Sequence, residues 1–329
     1  MESPEEKGEL LQQLETGVEK IEAGRKALEA ELEIAKKSGD FSKFYELQKI
    51  AQKGIFEAEK TKRKLEGEAS AFDISADYVT KDAKGKEKTE TITFNFETEL
   101  VSWTDFYAKH KLTLPANFAE KMQDIWERNG EALRKEIVEK GFDRVIFIPA
   151  SVDTADLKKL EESMTEGYKE EAKKVGKDTV YDTYWGVETK EVINSRTGDR
   201  IILIHSSPDL TAQPELLKTL DKKYGGEKTT RTDNKAEDFI KAGEKLTIAE
   251  WLILQREIWE KTGVHLDGKK GEDGYVKPTW CPGSRLGKEA GSYVVHAYWN
   301  PDYAQVFVIA YSPGNAIVSI GCRLSRCFE

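Results

Sequence analysis

The stretch Ser292–Glu329, SYVVHAYWNPDYAQVFVIAYSPGNAIVSIGCRLSRCFE, carries only four charged side chains, Asp302, Arg323, Arg326 and Glu329, in a chain that is 34% charged with a net charge of -9. The turn formers NPD and SPGN divide it into SYVVHAYW, AQVFVIAY and AIVSIGCRL. That pattern predicts three antiparallel strands joined by short turns. Side chains alternate along a strand, so Val306 and Val308 share one side while Phe307, Ile309 and Tyr311 share the other. Both sides are apolar. Two readings stay open: a central strand covered on both sides, or a strand with one core side and an aromatic patch that binds something.

Upstream, VKPTWCPGSRL reads as an extended lead-in with two prolines, and LTIAEWLILQREIWEKTG as a helix. Thr247 and Glu250 form a capping box at its start, and Gly263 closes it. DRVIFIPA (143–150) and DRIILIHSS (199–207) are compact apolar runs with the character of buried strands. The segment DTADLKKLEESMTEGYKEEAKK between them and PELLKTLDKKYG after them read as helices. The order strand, helix, strand, helix, helix, three strands predicts an α+β domain over about 140–329, with Trp251, Trp280, Trp299, Val306 and Val308 in or near its core.

Before it, residues 69–139 read as a β-hairpin and a helical connecting region. AFDISADYVTKD and TETITFNFETEL alternate on either side of AKGKEK, where Gly85 suits a turn. Phe118, Met122, Ile125, Leu133 and Ile137 then make an apolar helical stripe whose favoured reading is core packing. Residues 1–68 are rich in Glu, Lys, Ala and Leu. Leu14, Val18, Ile21, Leu28 and Leu32 fall at heptad spacing, and Gly39 with Asp40 or Ser42 marks a break before a second helix. This predicts an N-terminal helical hairpin or coiled coil, either a tether that self-associates or a helical pair packed into one unit.

Composition narrows the function. The acidic balance and the mixing of Lys and Arg with Glu argue against a nucleic-acid partner. No run approaches the roughly 20 apolar residues of a membrane span. The opening MESPEEKGELL is acidic where a signal peptide would be basic and then apolar, so a cytoplasmic location is expected. The three cysteines, Cys281, Cys322 and Cys327, read as free thiols rather than a disulfide framework or a zinc site. The four histidines lack metal-ligand spacing; His265 with Asp267 sketches a metal or acid-base pair, for which a structural role in a loop is the favoured reading. Phosphate-loop, dinucleotide and nucleophile-elbow motifs are missing. The expectation is therefore a protein that is not an enzyme, with no catalytic residues, no metal and no cofactor.

The segments TIAEWLILQREIWEKTGVHLD, WCPGSRL, YWNPDYAQVFVIAY and GCRLSRCF resemble the variable proteins of diversity-generating retroelements. The resemblance covers roughly residues 140–329 and is most specific over the last 80. It implies a C-type-lectin-like fold of the formylglycine-generating-enzyme type, whose ending G-F-R-L is matched here by GCRL with Cys322 in the Phe position. The family's genes are diversified by error-prone copying at template adenines, which turns AAY codons into NNY codons. NNY excludes Lys, Glu, Gln, Met and Trp. Between Ser292 and Phe328 there is no Lys, Glu or Met, and Trp299 and Gln305 are assigned to fixed scaffold positions. The variable region is then about 292–321, with ligand-binding candidates Tyr293, His296, Tyr298, Asn300, Tyr303, Phe307, Ile309, Ala310, Tyr311, Ile317, Ser319 and Ile320. The resemblance implies a non-catalytic display protein that binds a protein or other macromolecule. The alternatives are a formylglycine-generating-type oxidase using Cys322 and Cys327, or a calcium-dependent sugar lectin suggested by WNPD.

Overall fold

The computed structural model of the protein describes residues 30–31, 33–34, 47, 73–81, 87–154, 157–177, 181–183, 192–206, 235–241, 243–270, 274–287, 292–315, 320–323 and 325–329. The expected N-terminal hairpin or coiled coil, the helix at PELLKTLDKKYG and the turn at Gly85 lie essentially outside these residues. The chain is a mixed α+β protein of two compact units. One comprises residues 1–135, 199–201 and 328–329, and the other residues 136–198 and 202–327.

In the first unit, β1 (Asp73–Lys81) and β2 (Glu87–Asn95) pair antiparallel from Asp73↔Asn95 to Lys81↔Glu87. Ser75 and Thr93 hydroxyls meet at 3.0 Å on the exposed face, where Thr91 Oγ1 also donates to Asp77 Oδ1 at 2.6 Å. Ile74 and Phe94, paired on the opposite face, are buried. The strand reading of TETITFNFETEL overruns by five residues: the Asn95 side chain accepts from Thr98 N–H at 2.8 Å and starts α1 (Phe96–Lys109), whose first turn carries Glu97 and Glu99. Helices α2 (Phe118–Arg128) and α3 (Gly130–Lys140) follow. The predicted stripe Phe118, Met122, Ile125, Leu133 and Ile137 is buried throughout. Phe96 meets Trp126 at 5.4 Å between ring centroids, which joins the start of α1 to α2.

The two apolar runs form β3 (Arg144–Ile148) and β6 (Arg200–Ile204), neighbours in a three-stranded sheet of order β11-β6-β3 that β11 (Ser325–Phe328) completes. Between β3 and β6 lie α4 (Ala150–Thr154), α5 (Leu157–Thr165), a 3-10 turn (Glu166–Tyr168), α6 (Lys169–Lys174), β4 (Tyr181–Thr183) and β5 (Val192–Asn194). Then come α7 (Ala236–Lys241) and α8 (Ile248–Thr262). The predicted capping box is present: Thr247 Oγ1 accepts from Glu250 N–H at 3.2 Å, and Glu250 Oε2 accepts from Thr247 N–H at 2.9 Å. Gly263 ends the helix at φ 71. From Ile248 to Ile258 every residue of α8 is buried, as befits a helix enclosed on all sides.

The larger sheet runs β10-β7-β8-β9-β4, with β5 also on β7. It contains β7 (Thr279–Leu286), β8 (Tyr293–Asn300), β9 (Gln305–Tyr311) and β10 (Gly321–Cys322). The lead-in WCPGSRL is thus a full strand. A register shift between Cys281 and Arg285 accommodates Pro282, which has no N–H to give the ladder. Gly283 sits at that bulge because a Cβ there would strike the Lys245 carbonyl. Its N–H donates to Leu246 O, and Ser284 Oγ accepts from Ile248 N–H, so the bulge seats the start of α8. Of the three expected C-terminal strands, β8 and β9 pair antiparallel as read. The third segment departs from the prediction. Its GC pair lies parallel to β7 as β10, SRCF joins β6, and the far edge of β9 is taken by β4.

Candidate functional site

Pairing fixes which side chains share a face. On β8 and β9, Val295↔Ala310, Ala297↔Val308 and Trp299↔Val306 form the inner face. All six are buried, and the core placement of Trp251, Trp280, Trp299, Val306 and Val308 agrees with the sequence reading. The outer face carries Val294↔Tyr311, His296↔Ile309, Tyr298↔Phe307 and Asn300↔Gln305. Here Tyr298, Phe307 and Tyr311 are half-buried and Tyr303, on the turn, is 44% exposed. Phe307 meets Tyr298 at 5.3 Å and Tyr303 at 5.7 Å, and Lys177 Nζ lies 4.8 Å above the Tyr303 ring. These rings form one connected aromatic surface of the kind that supplies contact area with few rotors to freeze.

The burial of the twelve candidates divides them. Tyr293, Tyr298, Asn300, Tyr303, Phe307 and Tyr311 are at least partly open to solvent. His296 and Ile309 share the outer face but are buried, because the cross-strand row Trp280↔His296↔Ile309 runs through the middle of the sheet. These two candidates are therefore on the outer face but enclosed. Ala310 belongs to the core face and Ile320, just before β10, is also buried. Ile317 and Ser319 lie outside the described residues.

Burial pushes the His296 pKa down to about 3, with no charged group acting on it. His265 and Asp267, which the sequence reading placed side by side as one possible pair, go to separate networks. His265 Nε2 meets Glu171 Oε2 at 2.9 Å and its Nδ1 meets Gln255 Nε2 at 2.9 Å, while its ring stacks on Trp299 at 3.6 Å. Gln255 Oε1 accepts from Leu266 N–H, so its amide nitrogen is the donor toward Nδ1 and the imidazole donates from Nε2 to Glu171. Burial lowers the His265 pKa, opposed by Glu171.

Asp267, at φ 52, accepts from Trp251 Nε1 at 2.9 Å, Thr279 Oγ1 at 2.7 Å and Arg323 Nη2 at 2.6 Å. Arg323 Nη1 also donates to the His205 carbonyl at 2.8 Å. Both ionic side chains are fully buried. This hub, which the sequence reading missed, gives the arginine of GCRL its role as an anchor of the fold; a charged residue inside an apolar ending was the signal that could have found it.

No protein-family model, no curated protein and no solved structure matches the chain.

Cys281 and Cys322 are buried and Cys327 is half-buried, and none of the three is in a disulfide. Burial, with Asp267 and Glu250 adding to it, pushes the Cys281 thiol well up and away from the thiolate form that reacts. The Asp302 carboxylate of WNPD is held by Lys270 Nζ at 2.7 Å, and Asn300 Oδ1 accepts from Asp302 N–H. Among the described residues no group of three His, Cys, Asp or Glu is placed to hold a metal ion. Among them, too, no helix is long and apolar enough to cross a membrane.

Proposed function

We propose that the chain is a ligand-binding display protein of C-type-lectin-like fold, diversified by a retroelement, whose outer β8–β9 face binds a protein or another macromolecule. One observation carries this reading: the two faces of β8 and β9 are chemically segregated. The inner face is wholly buried, whereas the outer one carries the half-open rings Tyr298, Phe307 and Tyr311, with Tyr303 on the adjoining turn. A surface of this kind accepts substitutions at little cost to folding, because change there opens no cavity. The Asp267–Arg323 hub lies away from the outer face and can hold the scaffold whatever that face displays. The displayed set on that face is Tyr298, Asn300, Tyr303, Phe307 and Tyr311, smaller than the sequence suggests; Tyr293 is exposed at the start of β8 but alternates to the other side.

The test is genetic. Sequencing the DNA around this gene should reveal a reverse-transcriptase gene and a noncoding near-copy of the 3′ end, differing almost only at adenines. Sibling genes should differ at Tyr298, Tyr303, Phe307 and Tyr311 and agree at Trp299, Val306 and Val308. Siblings that vary as often at the inner positions as at the outer ones would overturn the reading.

A further inference from the structure

A buried polar atom without a partner has lost its water and gained nothing, so native structures hold few of them. Two stand side by side on the outer face: Trp280 Nε1 and His296 Nδ1. Trp280 is 0% exposed and His296 2%. They are opposed across β7 and β8, with ring centroids 5.3 Å apart and planes at 74°. Tyr311 at 5.2 Å and Tyr298 at 6.4 Å run nearly parallel to the imidazole, so His296 neighbours two of the half-open rings.

Chemistry restricts what could complete this pair. Indole N–H only donates, so Trp280 requires an acceptor. We take His296 as the Nε2–H tautomer, in which Nδ1 requires a donor. An anion would need an imidazolium to compensate it, and with the pKa held near 3 by burial the charged form is disfavoured by about ten-thousandfold at pH 7. A neutral group with an acceptor and a donor on separate atoms meets both demands, and those atoms must reach rings on two different strands. Resting on the display-face reading, we propose that Trp280 and His296 form a polar subsite under that face which takes a neutral amide of the ligand. The amide carbonyl accepts from Trp280 Nε1–H and its N–H donates to His296 Nδ1. An asparagine or glutamine side chain is the matching group on a protein partner.

The test uses the full chain with ¹⁵N-labelled tryptophan, which gives one indole signal for each of its seven Trp, and propionamide as the probe. Trp280→Phe assigns the Trp280 signal. Propionamide should shift that signal saturably and leave the others in place, and isosteric propionate should act about tenfold or more weakly. His296→Phe, which keeps a ring of similar size, should weaken the amide response by a similar factor. A signal that does not saturate, an equal response to propionate, or a response unchanged in His296→Phe would overturn the proposal. Should Trp280→Phe not fold, a crystal of the unaltered chain soaked in propionamide reads the same contact. Density bridging Trp280 and His296 is expected there, and a lone ordered water in its place would also overturn it. A failed titration removes the subsite alone, since the display reading is judged on sibling sequences.

Discussion

Thr279 and Trp280 are consecutive residues of β7, and the alternation of a strand sends their side chains to opposite faces. Thr279 donates to Asp267, joining a buried network in which that carboxylate has three donors. Trp280 enters an equally buried setting in which its N–H and the neighbouring His296 Nδ1 have no partner. Both clusters are polar and enclosed, and burial alone does not distinguish them. What each cluster gathers does. The first network is closed around the Asp267 carboxylate and fixes the fold, although Arg323 Nε is left without a partner; the second is open, since neither of its two nitrogens has a partner and their hydrogen-bonding capacity is unmet.

The largest expected effect tests the closed side. Asp267→Asn keeps a residue that tolerates the left-handed backbone at this position but removes the charge that answers Arg323. A buried cation left unpaired should cost about 3 to 5 kcal/mol in urea unfolding of the full chain. A loss below about 1 kcal/mol would mean that the hub does not hold the fold.

The open side responds to pH. In the native state burial keeps His296 neutral down to about pH 3, while in the unfolded chain it takes up a proton near 6.5. As pH falls below 6.5 the unfolded state binds the additional proton, so stability is fully present above 6.5 and is lost progressively toward 3. Between pH 6.5 and 4.5 this amounts to about 2 to 3 kcal/mol, which His296→Phe should abolish. At pH 7 the same variant should be nearly neutral or slightly stabilising, because it removes an unsatisfied polar atom. Equal acid sensitivity in the two proteins would show that His296 is not buried in the manner described.

The two faces of β9 differ by less. Val308→Ala opens a cavity in the core and should cost about 2 kcal/mol, whereas Phe307→Ala, on the half-open face, should cost less than about 1. Denaturant midpoints of the two variants make the comparison directly. The smallest effect concerns the exposed Lys270–Asp302 pair, which uses the same kind of ionic contact as the hub but in water. Lys270→Met should change stability by less than about 1 kcal/mol, and salt should diminish even that.

Much of this arrangement was legible because it is local. The apolar runs that become β3, β6, β8 and β9, the Thr247–Glu250 box and the Gly263 stop each reside in a few adjacent residues. Strand period also gave the correct side for Val306 and Val308. It could not say whether the opposite side was open, because the burial of His296 and Ile309 depends on Trp280 from another strand and on flanking rings. Nor could it place AIVSIGCRL, whose residues leave β9 for a parallel pairing with β7 and a return to β6. Asp267 looked like half of a pair with its neighbour His265, yet its partner Arg323 stands 56 residues away and becomes visible only once the strands are paired.

The central claim is that this domain separates folding from display across the thickness of one sheet. Two libraries of the full chain test it most directly. One is randomised with NNY codons at Tyr298, Tyr303, Phe307 and Tyr311, the other at Val295, Val306, Val308 and Ala310. Scored by protease resistance, the outer library should remain mostly folded while the inner one is mostly lost, since repeated core substitutions at about 1 to 3 kcal/mol each exhaust a stability of about 5 to 15. Equal survival of the two libraries, or equal loss, would contradict the account.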